Sequence, residues 1–230
     1  MTPLVLLPGM MCDARLFAPQ IAAVSATRAV HCAPIGGHDT MAALAAEVLE
    51  HAPPRFALAG LSMGGIVAME VLRQASERIE RLALLDTNPR AELPQVRARR
   101  EPQIAAARAG SLAGIMRDEM KPNYLADGPS RGEILDLCMA MALALGPDVF
   151  VRQSRALASR PDSQATLAAF RGPALVLMGE DDRLCPRDRH EQMHALMPHS
   201  RLAVVAGAGH LPTLERPDAT TEEITRWLTA

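Results

Sequence analysis

Paired cysteines are missing. Cys12, Cys32, Cys138 and Cys185 are widely scattered and form no CxxC pair, which argues against both zinc-ligand spacing and a dense disulfide framework. They read as free, mostly buried thiols. An excess of one charge is missing too: 24 Lys and Arg against 26 Asp and Glu give a formal charge of −2. That excludes the basic stripe of a nucleic-acid binder and, with 49% apolar residues, the high net charge of a disordered chain. No uninterrupted apolar run approaches the roughly 18 to 20 residues of a membrane-spanning helix. The opening Met1-Thr2-Pro3-Leu4-Val5-Leu6-Leu7-Pro8-Gly9 is apolar but has no basic n-region, and its apolar run is too short for a signal peptide. Residence in the cytoplasm is therefore the expectation, with no membrane and no nucleic acid as partner. What is left is a globular chain of 230 residues, enough for one large domain or a domain with a sizeable insertion. A monomer or a small homo-oligomer is expected.

The order of elements gives the class. Leu4 to Leu7 is a short apolar run closed by Pro8-Gly9, the pattern of a strand buried on both faces. Leu16, Ile21 and Val24 mark a helix, and Arg28 to Ala33 a second strand. Asp39 reads as the N-cap of a helix carrying Met41, Leu44, Ala45, Val48 and Leu49, which Pro53-Pro54 ends. Phe56 to Ala59 is the next strand, Ile66 to Leu72 an apolar helix, and Arg81 to Leu85 another buried strand ending at Asp86. Strands alternating with helices at these lengths imply parallel crossovers and a doubly wound α/β sheet.

The rhythm then breaks for the 84 residues from Thr87 to Phe170, which hold helix punctuation and no convincing strand. Pro94 and Pro102 punctuate a helical region ending at Gly110, and Ser111 caps a short helix stopped before Pro122. Ser130 with Glu133 fits a capping box, Gly146 closes that helix, and a fourth runs from Pro147 to Ala158. Ala174 to Met178 resumes the strand pattern, followed by a helix from His190 to Met197, a strand from Leu202 to Val205 and a helix from Pro217 to Thr229. The expected organisation is a core of residues 1–86 and 171–230 around a helical cap insertion, 87–170.

Gly60-Leu61-Ser62-Met63-Gly64 is GxSxG between a predicted strand and a predicted helix, the context that makes this pattern informative. A serine at the apex of so sharp a turn needs small neighbours, and the next amide, Met63, opens a helix and can face an oxyanion. The competing reading is a glycine-rich turn or a phosphate cradle. A serine hydroxyl needs a base in reach and a carboxylate to orient that base. His210, in Gly207-Ala208-Gly209-His210 between the last strand and last helix, lies at the sheet edge where sites of open α/β sheets form. His31, His38, His51, His190, His194 and His199 read as solvent-exposed and idle. Gly179-Glu180-Asp181-Asp182 places carboxylates at the same edge; Asp182 is preferred, Asp181 and Glu180 compete, and Asp86 is an outside alternative.

In these motifs the chain resembles the α/β-hydrolase family, specifically its small capped esterases and lactonases, over nearly all of its length. The family's nucleophile elbow matches Gly60 to Gly64, its Gly-x-x-Asp with a proline four residues on matches Gly179, Asp182 and Pro186, and its Gly-His matches Gly209-His210. The resemblance favours Asp182 over Asp181. It also implies a second oxyanion donor, the Met10 amide in Leu6-Leu7-Pro8-Gly9-Met10, although Pro8 stands where relatives usually have histidine. Relatives often carry two further strands ahead of this loop, so a trimmed, parallel sheet of six strands is expected here.

The implied reaction is cleavage of a carboxylic ester or lactone through an acyl-enzyme on Ser62, with His210 as base, Asp182 as orienting acid, and no metal or organic cofactor. Alternatives on the same residues are transfer of the acyl group to an alcohol, thiol or peroxide, and a receptor that binds without turnover. Met116, Met120, Met139 and Met141 suggest a pliable apolar lining, although helical methionine spacing usually means core. The insertion holds 11 of the 24 basic residues against 9 of the 26 acidic ones, a faint pointer to a carboxylate-bearing substrate such as an enol-lactone. Most of those arginines read as solvated helix faces.

Overall fold

Strands too apolar to face water on either side have to be covered on both, and that requirement organises this chain. The computed structural model describes all 230 residues. Its strands are β1 (Leu4–Leu7), β2 (Val30–Cys32), β3 (Phe56–Leu61), β4 (Ile79–Leu85), β5 (Ala174–Gly179) and β6 (Arg201–Val205). They form one sheet in the order β2-β1-β3-β4-β5-β6, and every neighbouring pair is parallel. Every residue of β1, β3 and β5 is buried, whereas the edge strands β2 and β6 are partly exposed.

Residues alternate between two cores, as the pleat requires. Val5, Leu7, Leu58, Leu82, Leu84 and Val176 face one side. There they meet α2 (Met41–His51), α3 (Met63–Gln74), α7 (Gln164–Ala169) and α8 (Arg187–Leu196). Leu4, Leu6, Ala59, Leu85, Leu175 and Leu177 face the other side, toward α1 (Ala18–Val24) and α10 (Pro217–Thr229). Small Ala57, Ala59 and Ala83 belong to that second cluster, as does Trp227 of α10.

Between β4 and β5 the chain is helical: α4 (Pro94–Ala106), α5 (Leu112–Ile115), α6 (Arg131–Ala158) and α7, with π-helical turns at Ala107–Ser111 and Met116–Met120. These helices carry a third cluster, with Leu112, Ile115, Met116 and Phe150 packed on Met11 from the loop after β1. By length and composition α6 could cross a membrane, but it is split at Gly146 (φ 80°, ψ 174°) ahead of Pro147, which has no N–H to give.

Several local expectations change. Thr40, not Asp39, caps α2: the first helical residue is Met41, so the Ala43 N–H lies within reach of the residue 40 hydroxyl, at 3.3 Å. Ser130 and Ser111 occupy the expected N-cap positions but give no side-chain cap, and Ser130 has ψ 2° instead of the extended backbone a capping box uses. α7 and the short α9 (Pro212–Glu215) were not expected; runs of four to six residues are too short for an apolar period to show.

Candidate active site

Parallel register puts all strand ends of one polarity on one edge. Leu7 pairs with Gly60, and Leu61 with Leu85, so the loops after β1, β3 and β4 leave the sheet side by side. The chain order reverses between β1 and β3, which opens a crevice beyond their carboxyl ends.

Ser62 stands at that point with φ 55° and ψ −116°, a conformation in which a residue with a Cβ is strained by about 1–3 kcal/mol. The glycines explain how it is reached. A Cβ on Gly60 would sit 2.3 Å from the Gly64 carbonyl oxygen, and one on Gly64 would sit 2.0 Å from that of Leu7. The turn is held from β4: the Ser62 N–H donates to the Leu85 carbonyl (2.9 Å), and the Thr87 hydroxyl donates to the Ser62 carbonyl (2.7 Å).

His210 arrives from the loop after β6. Its N–H donates to the Tyr124 carbonyl (2.7 Å). The Glu215 carboxylate accepts from the N–H groups of Gly209 (2.9 Å), Leu211 (3.0 Å) and Ala126 (2.8 Å). Burial pushes the Glu215 carboxyl up, against these three donors. Nothing in sequence spacing singled out Glu215, whose partners are backbone amides.

Asp182 follows β5 and is buried, whereas Glu180 and Asp181 are exposed. His210 Nε2 lies 2.9 Å from Ser62 Oγ, and His210 Nδ1 lies 2.9 Å from Asp182 Oδ2 and 3.0 Å from Oδ1. Asp182 Oδ1 also accepts from the N–H groups of Leu184 (2.8 Å) and Cys185 (3.1 Å). Burial raises the Asp182 carboxyl, but His210 and the two backbone donors outweigh it and hold the group below the usual carboxylate range. With Nδ1–H committed to Asp182, Nε2 is left as the acceptor for the serine hydroxyl.

The Met63 N–H opens α3, where first-turn N–H groups have no intrahelical acceptor. Met10 lines the same cavity as Ser62 and Met63. Its loop is fixed by a residue that sequence reasoning missed: Gln153, in the second half of α6, accepts from the Met11 N–H (2.9 Å) and donates to the Ile35 carbonyl (3.0 Å). Met11 itself has φ 55°.

One expectation about a single residue is overturned, and an outside alternative is set aside. Among the histidines read as exposed, His190 is fully buried on α8, and burial pushes it down to about 4. Asp86 is not the partner of His210; it lies buried behind the site, with Oδ1 accepting from the Gly179 N–H (2.8 Å). Burial first, and then the Asp182 charge, push Asp86 well above the carboxylate range. Side-chain atoms of Asp86, Asp182 and His190 lie within 4.8 Å of one another, as do those of Asp182, Cys185 and His210. Both sets could converge on a metal only through Asp182, whose oxygens are already engaged by His210 and two backbone donors.

His190 has a consequence for stability. Its folded pKa of about 4 lies below its ordinary 6.5, so the unfolded chain binds more protons between those values and stability falls as pH drops through that window. Relative to His190→Gln, the wild type is expected to lose up to about 3 kcal/mol on going from neutral pH to pH ~4. Urea unfolding across that range would show it, and parallel curves for the two proteins would refute it.

The site opens into a cavity of about 310 Å³ lined by Ser62, Met63, His210 and residues of the helical segment, Tyr124 among them. Of the four methionines expected there, Met120 lines it; Met116 and Met141 are core, and Met139 packs against core.

The sheet order, the strained serine turn and the crevice above it define a hydrolase fold, and the sequence profile of the alpha/beta hydrolase family matches residues 4–223. The chain belongs to that family. It is 26% identical over 241 aligned residues to the pimeloyl-[acyl-carrier protein] methyl ester esterase of Xanthomonas axonopodis pv. citri (strain 306), covering 98% of this chain and 94% of that protein. Among solved structures it is similar to a malate-bound thermophilic esterase from Thermogutta terrifontis, with TM-score 0.91, 29% identity and coverage of 100% of this chain and 90% of the other. The enol-lactonase from Burkholderia xenovorans LB400 shares the fold at TM-score 0.85 and 24% identity, over 100% of this chain and 92% of that one.

Proposed function

We propose that the chain is a serine hydrolase that cleaves a carboxylic ester or lactone in two acyl-transfer steps. The carrying observation is the unbroken relay from Asp182 through His210 to Ser62, each link at 2.9 Å. Its similarity to esterases supports the same reading.

In the first step Ser62 Oγ bonds to the ester carbonyl carbon while His210 Nε2 takes the hydroxyl proton. The carbonyl oxygen becomes an oxyanion facing the Met63 and Met10 amides. Collapse expels the alkoxide, which leaves with the proton from His210, and the acyl group stays on Ser62. A water then gives its proton to His210, adds to the acyl carbon and displaces Ser62, which recovers that proton. Asp182 keeps Nδ1 protonated throughout and stabilises the imidazolium that forms twice. Each oxyanion donor typically contributes about 3 to 4 kcal/mol to lowering such a barrier. Residues 87–170 act as a cap on a core of residues 1–86 and 171–230, a role supported by the contributions of Tyr124 and Met120 to the cavity wall.

The test is a fluorophosphonate probe together with a panel of esters, lactones and thioesters of varied acyl length. One equivalent of label on the peptide carrying Ser62, with acid released from an ester or lactone, is expected. Labelling of another serine, or no turnover across the panel, would overturn the reading.

A further inference from the structure

Part of the cavity wall is charged, and its charges do not balance. Arg100 on α4 and Arg160, just after α6, both reach one carboxylate, Glu92. Arg100 Nε donates to Glu92 Oε2 at 2.7 Å, and Arg160 Nη2 lies 3.2 Å from Oε1. All three line the same cavity as Ser62 and His210. Their side chains are only 13%, 10% and 5% exposed, so this is not a solvated surface pair. Arg189 lines the cavity too, and its own partner, Asp188, points to solvent with 57% of its side chain exposed. Around a cavity of about 310 Å³, then, the guanidiniums of Arg100 and Arg160 share a single carboxylate, Arg189 is paired with Asp188, and the negative charge of Asp182 is tied up behind His210.

Arg160 is the group left incomplete. Its Nε is buried with no acceptor, although nine-tenths of the side chain is out of water. A buried donor without a partner is costly, and a guanidinium presents five donors in a fixed fork suited to a planar carboxylate. Burial works against the charge of Arg160, with Glu92 offsetting it and Arg100 adding to it. Arg160 lines the cavity, so an anion there would pair with the accessible part of its guanidinium and cancel the excess charge. Leu93, Val96 and Leu157 add apolar wall, which suits a short hydrocarbon link between the anion and the reacting carbonyl.

We propose that Arg160, with Arg100 and Glu92, forms a carboxylate subsite, and that the substrate is a small ester or lactone carrying a second, free carboxylate. This rests on the serine-hydrolase reading above for the reaction but not for the binding. A carboxylate is favoured over a phosphate because the cavity lies at the small end of ligand sites and a single negative charge suffices beside Glu92.

The experiment compares methyl hydrogen glutarate, which keeps one free carboxylate, with methyl hexanoate, a neutral ester of similar size. The wild type is expected to favour the charged ester in kcat/KM by about tenfold or more, mostly through KM. In Arg160→Gln that ratio should collapse toward one, and Glu92→Gln, which removes the competing carboxylate, should raise it. A merely structural ion cluster would lower both esters together in either variant, and that result, like a wild-type preference for the neutral ester, overturns the subsite. Calorimetric titration of glutarate into the Ser62→Ala protein reads binding without turnover. Binding that vanishes in Ser62→Ala/Arg160→Gln supports the subsite even if no ester is hydrolysed, the outcome that would sink only the hydrolase reading. Absence of glutarate binding, or tighter binding of inorganic phosphate than of glutarate, overturns the carboxylate assignment.

Discussion

Ser62→Ala is expected to lower kcat on any ester substrate by a factor on the order of 10⁴ or more while the protein stays folded. In the proposed mechanism Ser62 is the one group whose loss leaves nothing to carry the acyl chain, and a backbone strained at φ 55° cannot present another hydroxyl at the same place. Thr87 is the other serine or threonine lining the cavity, but its hydroxyl is committed to the Ser62 carbonyl at 2.7 Å. Removing the hydroxyl takes away no contact that holds the turn, since those run through the backbone and the glycines. Thermal unfolding should therefore match the wild type within a few degrees. A variant that keeps more than about one hundredth of the activity would place the nucleophile elsewhere.

For the orienting acid the expected result is a contrast between neighbours. Asp182→Asn should cost about 10⁴-fold in kcat, because an amide can donate to Nδ1 and so favours the tautomer in which Nε2 carries the proton and cannot accept one from serine. Asp181→Asn should change kcat by less than about twofold, since residue 181 is exposed and contributes to the loop through its backbone N–H, bonded to the Ala208 carbonyl at 2.9 Å. Steady-state kinetics at neutral pH on both variants decide it. If Asp182→Asn lost less than about tenfold, Asp86 would have to be supplying the negative charge instead. Its burial argues against that, because it favours the protonated carboxyl.

The sheet was legible because each core strand is a short, nearly pure apolar run between turn residues, a signal that survives without knowledge of neighbours. The elbow was legible for a related reason: its glycine, serine and glycine fall within five residues, and Gly60 is required by the carbonyl of Gly64 inside the same motif, although Gly64 is required by the distant Leu7. What could not be read is the support built from distant pairs. Glu215 clamps the loop of His210 through backbone amides, and Gln153 reaches back 142 positions to Met11. Backbone acceptors and donors carry no residue-type signature, so neither partner announces the other. His190 was misread for a different reason: α8 is mostly polar, and a buried histidine on such a helix looks like its exposed neighbours until the helix is seated on the sheet. The charged wall at Glu92, Arg100 and Arg160 likewise joins a residue ahead of α4, one on α4 and one beyond α6.

Gln153 also ties together two loops that are far apart in sequence. One amide side chain grips the main chain beside Met10 and, through Ile35, the turn after β2, while riding on the half of α6 beyond the Gly146 break. Any swing of that half-helix tugs on the segment bearing the Met10 N–H. If the Met10 N–H serves as the proposed oxyanion donor, its position is thereby coupled through one side chain to the placement of α6 over the cavity.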